Sequence, residues 1–136
     1  MTTLRTIFSF VSKYRFSILF ALMILLISLL PGSSIPDSPL LRIPFMDKYI
    51  HFSMYTVFSV VAMLEMRCRE NCLRRNGFLV LSSAGASLIV ELIQGTIIEG
   101  RSADWTDLLA NIAGLLAGWL MYHFIRRRFP VQRFRS

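Results

Sequence analysis

The chain has 136 residues, of which 54% are hydrophobic and only 17% charged, with a formal net charge of +7. Soluble domains carry about 25% charged residues, so this composition excludes an ordinary water-facing domain and points to a surface that meets lipid. Nucleic acid is not the expected partner either, because Lys and Arg flank long apolar runs rather than forming one basic patch.

In chain order, the first apolar run covers 16–30, after Arg5, Lys13 and Arg15. It has the flanks of a signal peptide, but no A-x-A cleavage pattern follows, only Pro31-Gly32-Ser33-Ser34. The expectation is a retained first transmembrane helix over about 16–30, extended on its cytoplasmic side by 7–11. Pro36, Pro39 and Pro44 make 33–45 a loop. Three more runs approach the roughly 20 apolar residues that a spanning helix needs, over about 48–66, 77–94 and 105–125. Asp104, with Asp107 three residues on, marks the start of the last one as a cap followed by a first-turn acid. Cys68 and Cys72 fall in the basic loop between the second and third spans and are expected to be reduced thiols without a metal role. The whole of 1–136 reads as one domain.

Lys and Arg set the orientation. Three sit in the N-terminal flank, four in the loop after the second span (Arg67, Arg69, Arg74, Arg75) and five in the C-terminal tail (Arg126, Arg127, Arg128, Arg133, Arg135). The other two loops, with their helix ends, hold only Arg42, Lys48 and Arg101. Twelve against three predicts both termini in the cytoplasm. The fold expected is therefore an all-α, integral membrane four-helix bundle, N-in and C-in. Trp105 and Tyr122 lie near helix ends, where amphipathic rings favour the interface.

Polar residues form stripes. Asp47, His51, Tyr55 and Ser59 recur every four residues along one face of the second span, with Lys48 beside them. Ser83, Ser87, Glu91 and Gln94, at spacings of four, four and three, share one face of the third. On the fourth, Asp104, Asp107, Asn111, Gly114 and Gly118 form a heptad stripe whose glycines fit close helix packing. Taken singly, Asp104 and Asp107 suit capping and His51 an interface hydrogen bond. Glu91 is different, because an acid inside an apolar run is costly and marks a site. Together the stripes converge toward the outer ends of their helices and point to an extracytoplasmic-side site. The candidate ligand-binding residues are Asp47, Lys48, His51, Tyr55, Glu91, Gln94, Arg101, Asp104, Asp107 and Asn111, with Glu91 and His51 the candidates for acid–base catalysis. The first span offers only Ser17 and Ser28 and is expected to be a lipid-facing support.

Two stretches carry a family resemblance: Asp47-Lys48-x-x-His51-Phe52-x-x-Tyr55, and Glu91-x-x-Gln94 followed by Arg101-Ser102-x-Asp104-x-x-Asp107-x-x-x-Asn111-x-x-Gly114-x-x-x-Gly118. In these the chain resembles the VanZ-like family, named for a protein associated with resistance to the glycopeptide antibiotic teicoplanin. The resemblance covers about two-thirds of the chain. It implies a bacterial cytoplasmic membrane protein tied to the cell envelope, and supplies no reaction.

The leading functional reading is a binding module. Lys48 and Arg101 would hold an anionic group, with the acids and amides orienting them. Its partners would be membrane lipids, a lipid-linked envelope precursor or a glycopeptide, with oligomerisation open. An enzyme acting on a lipid-linked substrate is the second reading. An accessory subunit and a small lipid or drug transporter follow. No H-E-x-x-H, G-x-S-x-G or P-loop pattern is present, and neither a cofactor nor a metal is expected.

Overall fold

A computed structural model describes residues 2–30, 44–66, 72–97 and 104–128. They form five helices, α1 (Thr2–Lys13), α2 (Arg15–Leu29), α3 (Met46–Met66), α4 (Cys72–Ile97) and α5 (Trp105–Arg128), with no strand among the described residues. The shortest of α3, α4 and α5 has 21 residues, and at 1.5 Å per residue it reaches about 31 Å, enough for a hydrocarbon core about 30 Å thick. Each of these three is long and apolar enough to cross a membrane. α2 has only 15 residues and passes the same test only when taken together with α1.

The first helix is not the continuous element that the sequence suggests. α1 is bent from α2 by 78°, so 7–11 does not continue α2 as one straight helix. The break falls at Tyr14, whose φ of −113° and ψ of 25° leave the helical region. No proline or glycine causes it. The backbone N–H groups of Phe16 and Ser17, released at the break, donate to the Glu65 carboxylate of α3 at 3.0 and 2.8 Å. A carboxylate at a helix N-terminus satisfies free donors and suits the helix dipole.

α4 begins at Cys72, so this cysteine and Arg74 and Arg75 belong to a helix rather than to the basic loop. Cys68 lies outside the described residues. Tyr122, toward the basic end of α5, is buried, and its hydroxyl accepts a long hydrogen bond from Arg126 at 3.4 Å. Trp105 is exposed.

Hydrogen bonds fix the helix directions. Glu65 joins the end of α3 to the start of α2. Arg75 donates to the Met66 carbonyl, joining the start of α4 to the end of α3. Arg126 donates to the Cys72 sulfur, joining the end of α5 to the start of α4. α3 and α5 therefore run parallel, and α2 and α4 run opposite to them. Lys13, Arg15, Arg74, Arg75, Arg126, Arg127 and Arg128 gather at one end, and Lys48 is the only Lys or Arg among the described residues at the other.

The closest helix pair is α3 with α5, and glycine makes it possible. A Cβ at Gly118 would come within 2.6 Å of both Ser59 Cβ and the Thr56 carbonyl oxygen, and one at Gly114 would run into the Phe52 carbonyl. Tyr55, Leu115 and Ile24 form the buried apolar cluster beside this contact. Ala62, Met63 and Tyr122 are buried as well, but polar residues outnumber them inside: Ser28, His51, Ser59, Asn76, Ser87, Glu91, Gln94 and Asn111 are all buried, whereas Leu19, Leu26, Phe78, Leu81, Leu120 and Phe124 are exposed. That inversion suits a protein whose solvent is hydrocarbon, in which helices meet through small and polar residues.

Candidate functional site

The site is built where the start of α3, the end of α4 and the start of α5 meet. Asp104 opens α5 as an N-cap. Its Oδ1 accepts the Thr106 backbone N–H at 2.8 Å and the Thr106 hydroxyl at 2.6 Å. Its backbone N–H donates to Glu91 Oε1 at 2.7 Å, so the buried acid of α4 holds the first residue of the α5 cap. Hydrogen bonds from the Thr106 hydroxyl and backbone, then from Lys48, hold the Asp104 carboxyl down at about 2.

Lys48 lies in the first turn of α3. Its ammonium donates to Asp104 Oδ2 at 3.0 Å, Asp107 Oδ1 at 3.0 Å and Asp47 Oδ2 at 3.1 Å. An ammonium has three N–H donors, and here all three are spent on carboxylates. The side chains around it grade outward: Asp107 is 17% exposed, Lys48 22%, Asp104 41% and Asp47 58%.

One turn deeper, Asn111 bridges α3 and α4. Its side-chain N–H donates to Ser87 Oγ at 2.7 Å, and its Oδ1 lies 3.1 Å from His51 Nδ1. An amide oxygen only accepts, so His51 Nδ1 carries a proton, and in the neutral form of the ring Nε2 is the acceptor nitrogen. Tyr55 shares a further hydrogen bond with Ser87. Deeper still, Ser59 donates to the Leu115 carbonyl at 3.0 Å, which places it in the α3–α5 contact.

Of the residues singled out from sequence, Asp47, Lys48, Asp104 and Asp107 form one cluster, and His51, Tyr55 and Asn111 a second beneath it. Glu91 ties α4 to the first. Gln94 does not join either: its side-chain N–H donates to the Ser28 carbonyl, binding α4 to α2. Arg101, and its expected pairing with these acids, lie outside the described residues, as does most of the 95–103 loop. Sequence reasoning missed Thr106, whose signal is a hydroxyl two residues after a capping Asp. It also missed Glu65, an acid in the otherwise apolar last turns of α3.

Chemically the cluster is rich in acceptors. Asp47, Asp104 and Asp107 bring three carboxylates to one ammonium whose donors are all in use, and Glu91 adds a fourth that accepts the Asp104 backbone N–H. Asp47 and Asp104 are the most accessible of these groups, and His51 in its neutral form adds one more acceptor below them.

The family model described as VanZ/LLP1 matches residues 2–126, a span that takes in all five helices up to the last turn of α5. No curated protein matches the chain, and no solved structure does.

Proposed function

The chain belongs to the VanZ/LLP1 family, and from that premise we propose that it binds the polar head of a lipid or lipid-linked cell-envelope molecule, including glycopeptide-related ones, at the Lys48 end of its helices. It is a multi-pass membrane protein. In this reading α2–α5 form a four-helix bundle in the bacterial cytoplasmic membrane. The basic end, with both termini, faces the cytoplasm, and the Lys48 end lies at the extracytoplasmic head-group layer. The skew of basic residues between the two ends supports that orientation.

The observation that carries the reading is the spent ammonium. Lys48 donates to three carboxylates, so it is a poor hook for an anion and a good clamp on the acids. What remains accessible accepts hydrogen bonds. The ligand is therefore a head group that presents donors: hydroxyls of a sugar or glycerol, amide N–H groups, or an amine. Arg101 keeps the role of holding an accompanying phosphate or carboxylate, since its planar fork suits both.

The test is native mass spectrometry of the full chain released from mild detergent, comparing parent, Asp47→Asn and His51→Gln. Retention of a defined lipid or envelope precursor by the parent, and its loss from both variants, is the expected result. An identical adduct profile in all three would overturn the reading.

The His51 tautomer favours a second reading. With a proton held on Nδ1 by Asn111, the ring in its neutral form leaves Nε2 as a general base, which suits a membrane-embedded enzyme acting on a lipid-linked substrate. Turnover of a retained precursor by the parent and its absence in His51→Gln would select this reading. Equal turnover would remove it.

A further inference from the structure

The bend between α1 and α2 creates a second feature at the opposite end of the molecule from Lys48. Because α1 turns away by 78°, it runs across the end of α2 and leaves a groove of about 350 Å³ beneath it, open to the outside and lined by Phe10, Tyr14, Ile18, Phe58, Ala62 and Leu79, among others. Arg75 is the one charged residue of its wall. α1 is amphipathic. Leu4, Ile7, Phe8, Phe10 and Val11 fall on one arc and Arg5, Ser9, Ser12 and Lys13 on the other. The apolar arc is exposed and continues into the exposed apolar face of α2.

We propose that this groove is a binding site for an anionic glycerophospholipid of the adjacent leaflet, with an acyl chain in the groove and the phosphate on Arg75 and Lys13. The proposal rests on the membrane-spanning reading and is independent of the ligand at the Lys48 end. Charge complementarity selects the occupant. The Arg75 guanidinium gives one donor to the Met66 carbonyl at 3.2 Å and keeps others for a phosphate. The Lys13 ammonium stands 5.1 Å from the centre of the Tyr14 ring, and Tyr14 itself lines the groove. Glu65 is the only acid among the described residues at this end. Its carboxylate accepts hydrogen bonds from Phe16 and Ser17 rather than from Lys13 or Arg75. A soluble anion would gain nothing from an apolar trough. A zwitterionic lipid would bring a like-signed ammonium to the same basic groups. An amphipathic helix lying in the interface, with basic residues on its polar face, also suits an anionic leaflet.

The test uses the full chain in phosphatidylcholine nanodiscs carrying a trace of lipid with a photoactivatable diazirine on the acyl chain, either phosphatidylglycerol or phosphatidylcholine. Mass spectrometry then maps the adducts. The expected result is a concentration of phosphatidylglycerol adducts on 10–21 and 58–66, exceeding phosphatidylcholine by about fivefold for each basic group engaged. Ala21→Phe, which fills the groove from an exposed position, should remove them. Arg75→Gln with Lys13→Gln should bring phosphatidylglycerol down to the phosphatidylcholine level while chain labelling persists. Equal labelling by the two lipids in the parent, or labelling indifferent to both variants, overturns the proposal. Adducts on 46–55 or 104–111 report on the Lys48 end, so failure of either site reads separately.

Discussion

Ser17, in the first turn of α2, donates both its backbone N–H, at 2.8 Å, and its hydroxyl, at 2.5 Å, to the Glu65 carboxylate at the far end of α3. With the Phe16 N–H at 3.0 Å, one acid from another helix satisfies the donors that the break at Tyr14 sets free. Glu65→Ala should therefore loosen the angle between α1 and α2 and cost about 1–2 kcal/mol, the size of a lost helix cap. Glu65→Gln, which keeps an acceptor oxygen, should lose about half of that. Spin labels on α1 and α3, read by pulsed electron resonance alongside thermal unfolding in detergent, check it. An unbroadened distance distribution in Glu65→Ala would count against the capping role.

The Lys48 cluster makes a graded prediction. Removing a partner from a shielded ion pair costs more than removing one from an exposed pair. Loss of thermal stability should run Asp107→Asn, then Asp104→Asn, then Asp47→Asn, following exposures of 17%, 41% and 58%. Lys48→Met should be the most harmful, because it leaves three carboxylates facing one another. A rank order in which Asp47→Asn is worst would show that the ammonium is not the hub.

Glycine substitutions separate close packing from helix propensity. Gly118→Ala should destabilise by about 1–3 kcal/mol, because the new Cβ meets the Thr56 carbonyl oxygen, which cannot swing aside. Gly85→Ala, where nothing lies within 4 Å, should be neutral or stabilise by up to about 1 kcal/mol. Equal melting temperatures for the two variants would refute the α3–α5 contact as drawn.

Asp104 sets a pH dependence. Its folded value, held near 2 by Thr106 and then Lys48, lies below its ordinary 3.8. A depressed carboxyl stabilises the folded state at pH above the ordinary value and loses that stabilisation as pH falls through the folded one. Thermal stability should therefore fall between about pH 4 and pH 2, and Asp104→Asn should flatten that part of the profile. A parent and a variant with the same slope in this window would exclude Asp104 as its source.

Much of the molecule was legible in the sequence. The lengths of the apolar runs announce helices of membrane-crossing length, since hydrocarbon requires each backbone to satisfy its own hydrogen bonds. The fourfold spacing of His51, Tyr55 and Ser59 and the heptad from Asp107 to Gly118 place those side chains on interior faces, because helical geometry alone aligns them. Asp104 as the cap of α5 is likewise a local property. What the tertiary structure decided are the pairings. Lys48 reads in sequence as a cation ready for an anionic ligand, yet three acids brought together from two helices take all its donors. Gln94 falls on the Glu91 face in sequence, and the fold gives one of its side-chain N–H groups to the Ser28 carbonyl of α2. The continuous run from 7 to 30 breaks at Tyr14, where no helix breaker stands, and the acid that accepts the freed N–H groups lies 48 residues away from Ser17. Periodicity carries information about a residue's own helix; the partner that uses up a donor or an acceptor comes from another, and only packing brings the two within hydrogen-bond reach.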